Sequence, residues 1–134
     1  MSAANEVKTD RRYTKEHEWA KVEGDELVVG ITAFAVDQLG DITLVSIDVK
    51  PGQSLSAGKA FGTIESVKTL SDLFAPVSGI VTRVNAALES SPELVNEDCW
   101  NKGWMVAIKP ASAADPNQLL DAGGYESHLQ SSAH

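Results

Sequence analysis

Lys68 stands in the middle of Phe61-Gly62-Thr63-Ile64-Glu65-Ser66-Val67-Lys68-Thr69-Leu70-Ser71-Asp72-Leu73-Phe74, where two short runs rich in apolar and β-branched residues flank a polar-containing segment. Such runs read as two antiparallel strands joined by a tight turn, with Lys68 at or beside the tip. A lysine so placed carries a hydrated ammonium on a flexible stem, and a modifying enzyme can reach it. On its own, an exposed lysine at a hairpin tip is ordinarily a solubilising group.

Other reactive residue types are sparse. No Ser/His/Asp order, phosphate-cradling glycine loop or metal-spaced His/Cys set occurs, so the chain reads as a non-enzyme. His17 has no nucleophile or metal ligand spaced with it and reads as an exposed or packing histidine and not a base. His128 and His134 lie near the C-terminus and receive no role. The single cysteine, Cys99, excludes an intramolecular disulfide and reads as a small buried hydrophobe.

A rigid root for Lys68 requires its hairpin to belong to a sheet, with Ile64, Val67, Leu70 and Phe74 expected to hold the turn by cross-strand packing. In chain order, residues 1–12 read as a loose arm and order is expected from Tyr13. Residues 19–29 form a hairpin turning at Gly24-Asp25, and Gly30 breaks its second strand. Thr32 caps a short helix over 33–39, with Gly40 as its left-handed exit. Residues 42–49 are a strand, and Lys50-Pro51-Gly52-Gln53 a turn with Pro and Gly in type II order. Residues 80–84 and 105–109 are further strands, Pro110 stopping the second, with helical turns near 85–89 and after Ser91-Pro92. Asp115-Pro116 starts a helix that Gly123-Gly124 ends early, leaving 125–130 as a short segment or frayed tail.

The 134 residues are one domain's worth, and a 43% apolar fraction is that of an ordinary soluble protein with no run long enough to span a bilayer. The formal charge of -8 argues against nucleic acid, suits a monomer, and favours partners with basic docking surfaces. Many short strands separated by Gly, Pro and Asn predict a mainly β core with small helices at its edges.

Glu65-Ser66-Val67-Lys68 followed by Ser71-Asp72 resembles the lipoyl-attachment signature of the glycine cleavage system H protein family. Pro76 and Gly79 fall where biotinyl/lipoyl domains have their second turn. His17-Glu18-Trp19, Gly30-Ile31-Thr32, Leu39-Gly40-Asp41-Ile42, Pro92-Glu93-Leu94-Val95-Asn96 and Gly103-Trp104-Met105 resemble the same family in the same order. The likeness runs from about Tyr13 to the tail. It implies a barrel-sandwich hybrid of two packed antiparallel sheets with short peripheral helices: a β domain over 13–110 and a helical tail over 111–134 packed on it.

It also implies a non-catalytic carrier bearing lipoate as an amide on Lys68, within the motif Glu65, Ser66 and Val67. The carrier would shuttle the aminomethyl group of glycine between a pyridoxal-phosphate-dependent glycine decarboxylase and a tetrahydrofolate-dependent aminomethyltransferase. Dihydrolipoyl dehydrogenase and a lipoyl-attaching enzyme complete the implied partners. Glu18 and Asp72 would hold the cationic amine in a surface cleft; otherwise both are solvated or turn-capping carboxylates. Trp19, Trp100 and Trp104 read as core or rim packing, with Trp104 the one to floor that cleft if any of them does. Glu65 would mark the hairpin for the attaching enzyme, or serve as an edge charge that deters aggregation. A lipoyl relay supplying 2-oxoacid dehydrogenases is the neighbouring alternative; biotin fits less well, because biotinyl sites resemble Ala-Met-Lys-Met. A cytoplasmic location is expected, or the mitochondrial matrix after loss of a presequence. Cys99-Trp100, Val45-Ser46-Ile47-Asp48, Phe34 and Gln38 depart from the family pattern.

Overall fold

The computed structural model describes residues 6–112 and 115–132, so His134 lies outside the described residues. Its elements are β1 (Arg12–Tyr13), β2 (Glu18–Glu23), β3 (Glu26–Ile31), α1 (Ala33–Leu39), β4 (Ile42–Ile47), β5 (Ser54–Leu55), β6 (Ala60–Ser66), β7 (Leu70–Phe74), β8 (Gly79–Val84), α2 (Ala87–Ser90), α3 (Leu94–Glu97), β9 (Val106–Pro110) and α4 (Ala122–Ser132). They build two antiparallel sheets, one ordered β1-β2-β3-β9-β8-β5 and one ordered β4-β6-β7.

The local signals act as physical chemistry requires. Gly24, at a φ of 65°, lets β2 turn into β3 through two residues. Gly52 has a φ of 92° and the Gln53 amide donates to the Lys50 carbonyl at 3.0 Å, the geometry of the expected type II turn. The Thr32 hydroxyl accepts from the Ala35 amide and caps α1. Gly40 closes α1 with φ 78° and ψ -150°, outside the left-handed helical region and in backbone space open almost solely to glycine.

Strand alternation sorts side chains into two cores. Leu27, Val29 and Ile31 of β3, with Val106 and Ile108 of β9, point between the sheets and meet Val45, Phe61, Ile64 and Leu73. Val28 and Ala107 point the other way, into a second cluster built on Tyr13, Trp19 and Tyr125. Gly30 does not break β3: it pairs with Trp19 inside the sheet, and any Cβ there would lie 2.6 Å from the indole ring. It is the absent side chain that admits the tryptophan. Cys99 is buried, as expected, and burial pushes its thiol up to about 11.

The ends of the chain close the second core. Residues before β1, expected as a loose arm, lie against it from Glu6 onward: Val7 packs there, and the Arg11 guanidinium sits 4.6 Å from the Trp19 ring centroid while donating to the Trp100 carbonyl. Asp115-Pro116 opens a single 3-10 turn, Asp115–Gln118, in place of a longer helix. Leu120 then exchanges two backbone hydrogen bonds with Tyr13, and α4 begins at Ala122. Gly123 and Gly124 thus lie in the first turn of α4 and do not end it. Tyr125 stacks flat on Tyr13 at 4.5 Å, and this burial outweighs the poor helix propensity of the glycines. Pro110 closes β9 from inside the ladder, opposite Gly79. Among the described residues no helix is long and apolar enough to cross a membrane.

Candidate functional site

The β6–β7 ladder runs Thr63 to Asp72, Ile64 to Ser71 and Glu65 to Leu70, which leaves Val67-Lys68 as a two-residue loop between Ser66 and Thr69. Neither loop residue has a positive φ, so the turn lacks the primed geometry that strand twist favours. Side-chain hydrogen bonding holds it. The Ser66 amide donates to the Thr69 carbonyl at 2.8 Å, and the Ser66 hydroxyl accepts from the Lys68 and Thr69 amides at 3.2 Å each. From outside the hairpin, the Asp41 carbonyl accepts the Val67 amide at 3.1 Å.

This differs from the apolar packing expected to hold the turn. Ile64 is buried and Phe74 half-buried, but Val67 is 67% and Leu70 61% exposed. Both side chains are mostly in solvent, although Val67 also borders Gly40. Ser66, by contrast, is buried. Lys68 is exposed, no ion pair holds it among the described residues, and its stem runs beside Gly40. Glu65 is exposed between Leu44 and Leu70 on the neighbouring strands.

A surface cleft of about 360 Å³ opens along the same hairpin. Ile64, Ser71, Asp72 and Leu73 form one wall, α1 with Phe34, Gln38 and Leu39 another, and Glu16, His17 and Glu18 the third. Glu18 and Asp72, far apart in sequence, thus face one space. Trp104 does not floor it; it lines a separate hollow with Trp19 and Trp100, because the second core draws the tryptophans to the opposite face of the larger sheet.

Asp72 is exposed on β7, whereas Glu18 is 2% exposed. The turn between β1 and β2 delivers Glu18 inward. The Thr14 amide donates to the Glu18 carbonyl at 2.9 Å, and His17 takes a φ of 71° to complete the reversal. One Glu18 carboxyl oxygen accepts the Thr14 hydroxyl at 2.5 Å; the other accepts the Phe74 amide at 3.4 Å, on the edge strand of the smaller sheet. Burial nevertheless dominates, and it pushes the Glu18 pKa up to about 7, with the Glu16 charge adding a little. The cleft therefore contains a carboxyl group able to gain or lose a proton near neutral pH.

His17 has more partners than a packing residue needs. Its Nδ1 lies 2.8 Å from the Tyr125 hydroxyl, which lies 2.8 Å from the Thr32 hydroxyl. The Phe34 ring packs at a tilt against the imidazole, 4.7 Å between centroids, and His128 lies 5.6 Å away, so the tail helix braces the cleft wall. Burial first, and then His128, lower the His17 pKa. Sequence reading missed Thr14, Tyr125 and His128, and no spacing signal ties a tail tyrosine to residues about a hundred positions earlier. Of the departures from the family pattern, Phe34 and Gln38 line the cleft, and Ser46 donates to Asp48 at 2.8 Å. Among the described residues no cluster of His, Cys, Asp and Glu could hold a metal ion.

The model of the family described as "Glycine cleavage H-protein" matches residues 11–132. The glycine cleavage system H protein of Bacteroides fragilis is 56% identical over 115 residues, 86% of this chain and 90% of that one. That of Thermus thermophilus is 48% identical over 128 residues, 96% and 99% of the two chains. The crystal structure of a glycine cleavage system H protein from Mycobacterium marinum superposes with a TM-score of 0.81 at 34% identity, covering 96% of this chain and all of that one. The fold is the barrel-sandwich hybrid of lipoyl-type domains. With the match spanning both sheets, the Lys68 hairpin and the tail helix, the chain belongs to the glycine cleavage H-protein family.

Proposed function

We propose that the chain carries the aminomethyl group of glycine through lipoate held as an amide on Lys68, and that it presents this cargo without catalysing a reaction. The observation that carries the reading is an exposed lysine, free of ion pairing among the described residues, on a turn locked by backbone and hydroxyl hydrogen bonds. That combination suits a long arm on a fixed root. When bound, the dithiolane supplies the sulfur chemistry; the protein contributes presentation and protection.

The cleft fits the cargo. A primary amine is cationic near neutral pH, and Glu18 and Asp72 face the same cleft. We assign them the holding of that amine, Asp72 as a solvated charge at the mouth and Glu18 as a desolvated one within. A cation beside Glu18 favours its ionised form, so amine binding is coupled to proton release near pH 7. Apolar Leu39, Ile64 and Leu73 keep water away from the bound group.

Glu65, beside the turn and exposed, is proposed to mark the hairpin for the lipoyl-attaching enzyme. The partners are then the decarboxylase, the aminomethyltransferase and dihydrolipoyl dehydrogenase, and the bacterial relatives support a cytoplasmic location. The convergence of Glu18 and Asp72 supports amine holding over a relay to 2-oxoacid dehydrogenases.

The test is intact mass before and after incubation with a lipoate ligase, then glycine decarboxylation with the purified decarboxylase. One lipoyl group is expected on the unaltered chain and none on Lys68→Arg. An adduct that survives Lys68→Arg, or a loaded chain that does not support decarboxylation, rejects the reading.

A further inference from the structure

Pro92-Glu93-Leu94-Val95-Asn96 is far from Lys68 in sequence and does not line the cleft. Its last residue has a definite one. Asn96 lies on α3, which buries Val95 in the main core, while the Asn96 side chain itself is exposed. Its amide spans the start of β4. Oδ1 accepts the Ile42 amide at 2.9 Å, and Nδ2 donates to the Gly40 carbonyl at 3.0 Å. Between the two pinned residues stands Asp41, whose carbonyl accepts the Val67 amide and so buttresses the lysine turn.

Gly40 has a second relation to that turn. A Cβ placed on it would lie 3.4 Å from Cε and 3.7 Å from Cδ of Lys68, so the glycine backbone is the surface along which the lysine stem lies. One side chain thus fixes both the backbone acceptor of the turn and the path of the stem.

We propose that Asn96 is a positioning residue for acylation of Lys68, acting through the Gly40-Asp41-Ile42 segment that it straps. The proposal rests on the reading of Lys68 as the acylated residue. In that step the deprotonated Lys68 Nζ attacks the carbonyl carbon of a lipoyl adenylate. The C–N bond forms, the C–O bond to the phosphate breaks, AMP leaves, and the proton lost from nitrogen goes to solvent. Asn96 touches none of these atoms; it sets where the nitrogen stands.

The test compares Asn96→Ala with Asn85→Ala in the full chain. Asn85 is a similar strap, donating to the Lys102 and Trp104 carbonyls at 2.9 and 2.7 Å, but it does not bond the Gly40-Asp41-Ile42 segment that buttresses the lysine turn. Two readouts are taken: kcat/KM for transfer from lipoyl adenylate by a lipoate ligase, and amide hydrogen exchange at Val67. Asn96→Ala is expected to lower kcat/KM about tenfold and to speed Val67 exchange about tenfold, whereas Asn85→Ala changes neither. If the unaltered chain is acylated and Asn96→Ala keeps its kcat/KM and slow Val67 exchange, the proposal alone falls. It falls equally if Asn85→Ala slows acylation as much as Asn96→Ala does, since general loosening then explains both. If the unaltered chain takes no acyl group, the carrier reading has failed and the proposal goes with it.

Discussion

Glu18 is a carboxyl group buried beside two donors, Thr14 and the Phe74 amide, and this environment decides its charge. Its folded pKa of about 7 stands above the ordinary 4.5, so the folded chain binds the proton more tightly than the unfolded one. Stability is therefore greatest below the unfolded value and declines as pH rises from about 4.5 to about 7, levelling off above. The loss is on the order of 3 kcal/mol at most. Urea unfolding of the unaltered chain and of Glu18→Gln across that range checks this: the difference between the two curves should grow in favour of the variant as pH rises. A flat difference would mean that the carboxyl is hydrated in solution. Were the variant lipoylated and loaded, its cargo should be released to water faster, since the desolvated charge proposed to hold the amine is gone.

At the scale of elements, the lysine hairpin is stiff for a reason other than the expected one. Ser66 is buried and its hydroxyl accepts two turn amides, whereas Val67 and Leu70 stand out in solvent. Ser66→Ala leaves those amides to water and should cost about 1 kcal/mol in chemical unfolding. Val67→Ala should cost less than about 0.5 kcal/mol, because little apolar surface is buried there. The reverse order of these two losses would restore apolar packing as the cause. The six-stranded sheet carries a second contrast: Gly30 is a break signal on its own, and within β3 it is the gap that admits the Trp19 ring. Periodicity shows that a glycine interrupts a run of side chains, but which side chain fills the gap depends on the strand across the ladder.

For the molecule as a whole, charge governs encounters. A net charge of -8 on a chain of 134 residues favours approach to basic surfaces, and salt screens that attraction. The second-order rate of glycine decarboxylation with the loaded carrier should fall several-fold between about 50 and about 300 mM salt, with little change in the rate at saturating carrier. A salt-independent rate would place the docking energy in the exposed apolar residues Leu44, Val67 and Leu70 instead. The tail also belongs to this scale. It roofs the second core through Tyr125 and supplies a hydroxyl to His17, so one wall of the cleft depends on residues from both ends of the chain.

Much was legible without coordinates wherever the cause was local. The hairpin around Lys68, the Thr32 cap, the type II turn at residues 50–53 and the two-residue turn after β2 each follow from neighbours a few positions apart, whose torsional limits and hydrogen-bonding groups are intrinsic to the residues. The mainly β class followed in the same way. What spacing could not decide were relations made only when sheets and ends pack: Glu18 reaching the edge of the smaller sheet at Phe74, Trp104 turned away from the cleft, Asn96 strapping the segment beneath Lys68, and α4 running on from its two glycines. The physical reason is that burial and long-range hydrogen bonding, absent from any short window of sequence, set both the protonation state of Glu18 and the survival of α4.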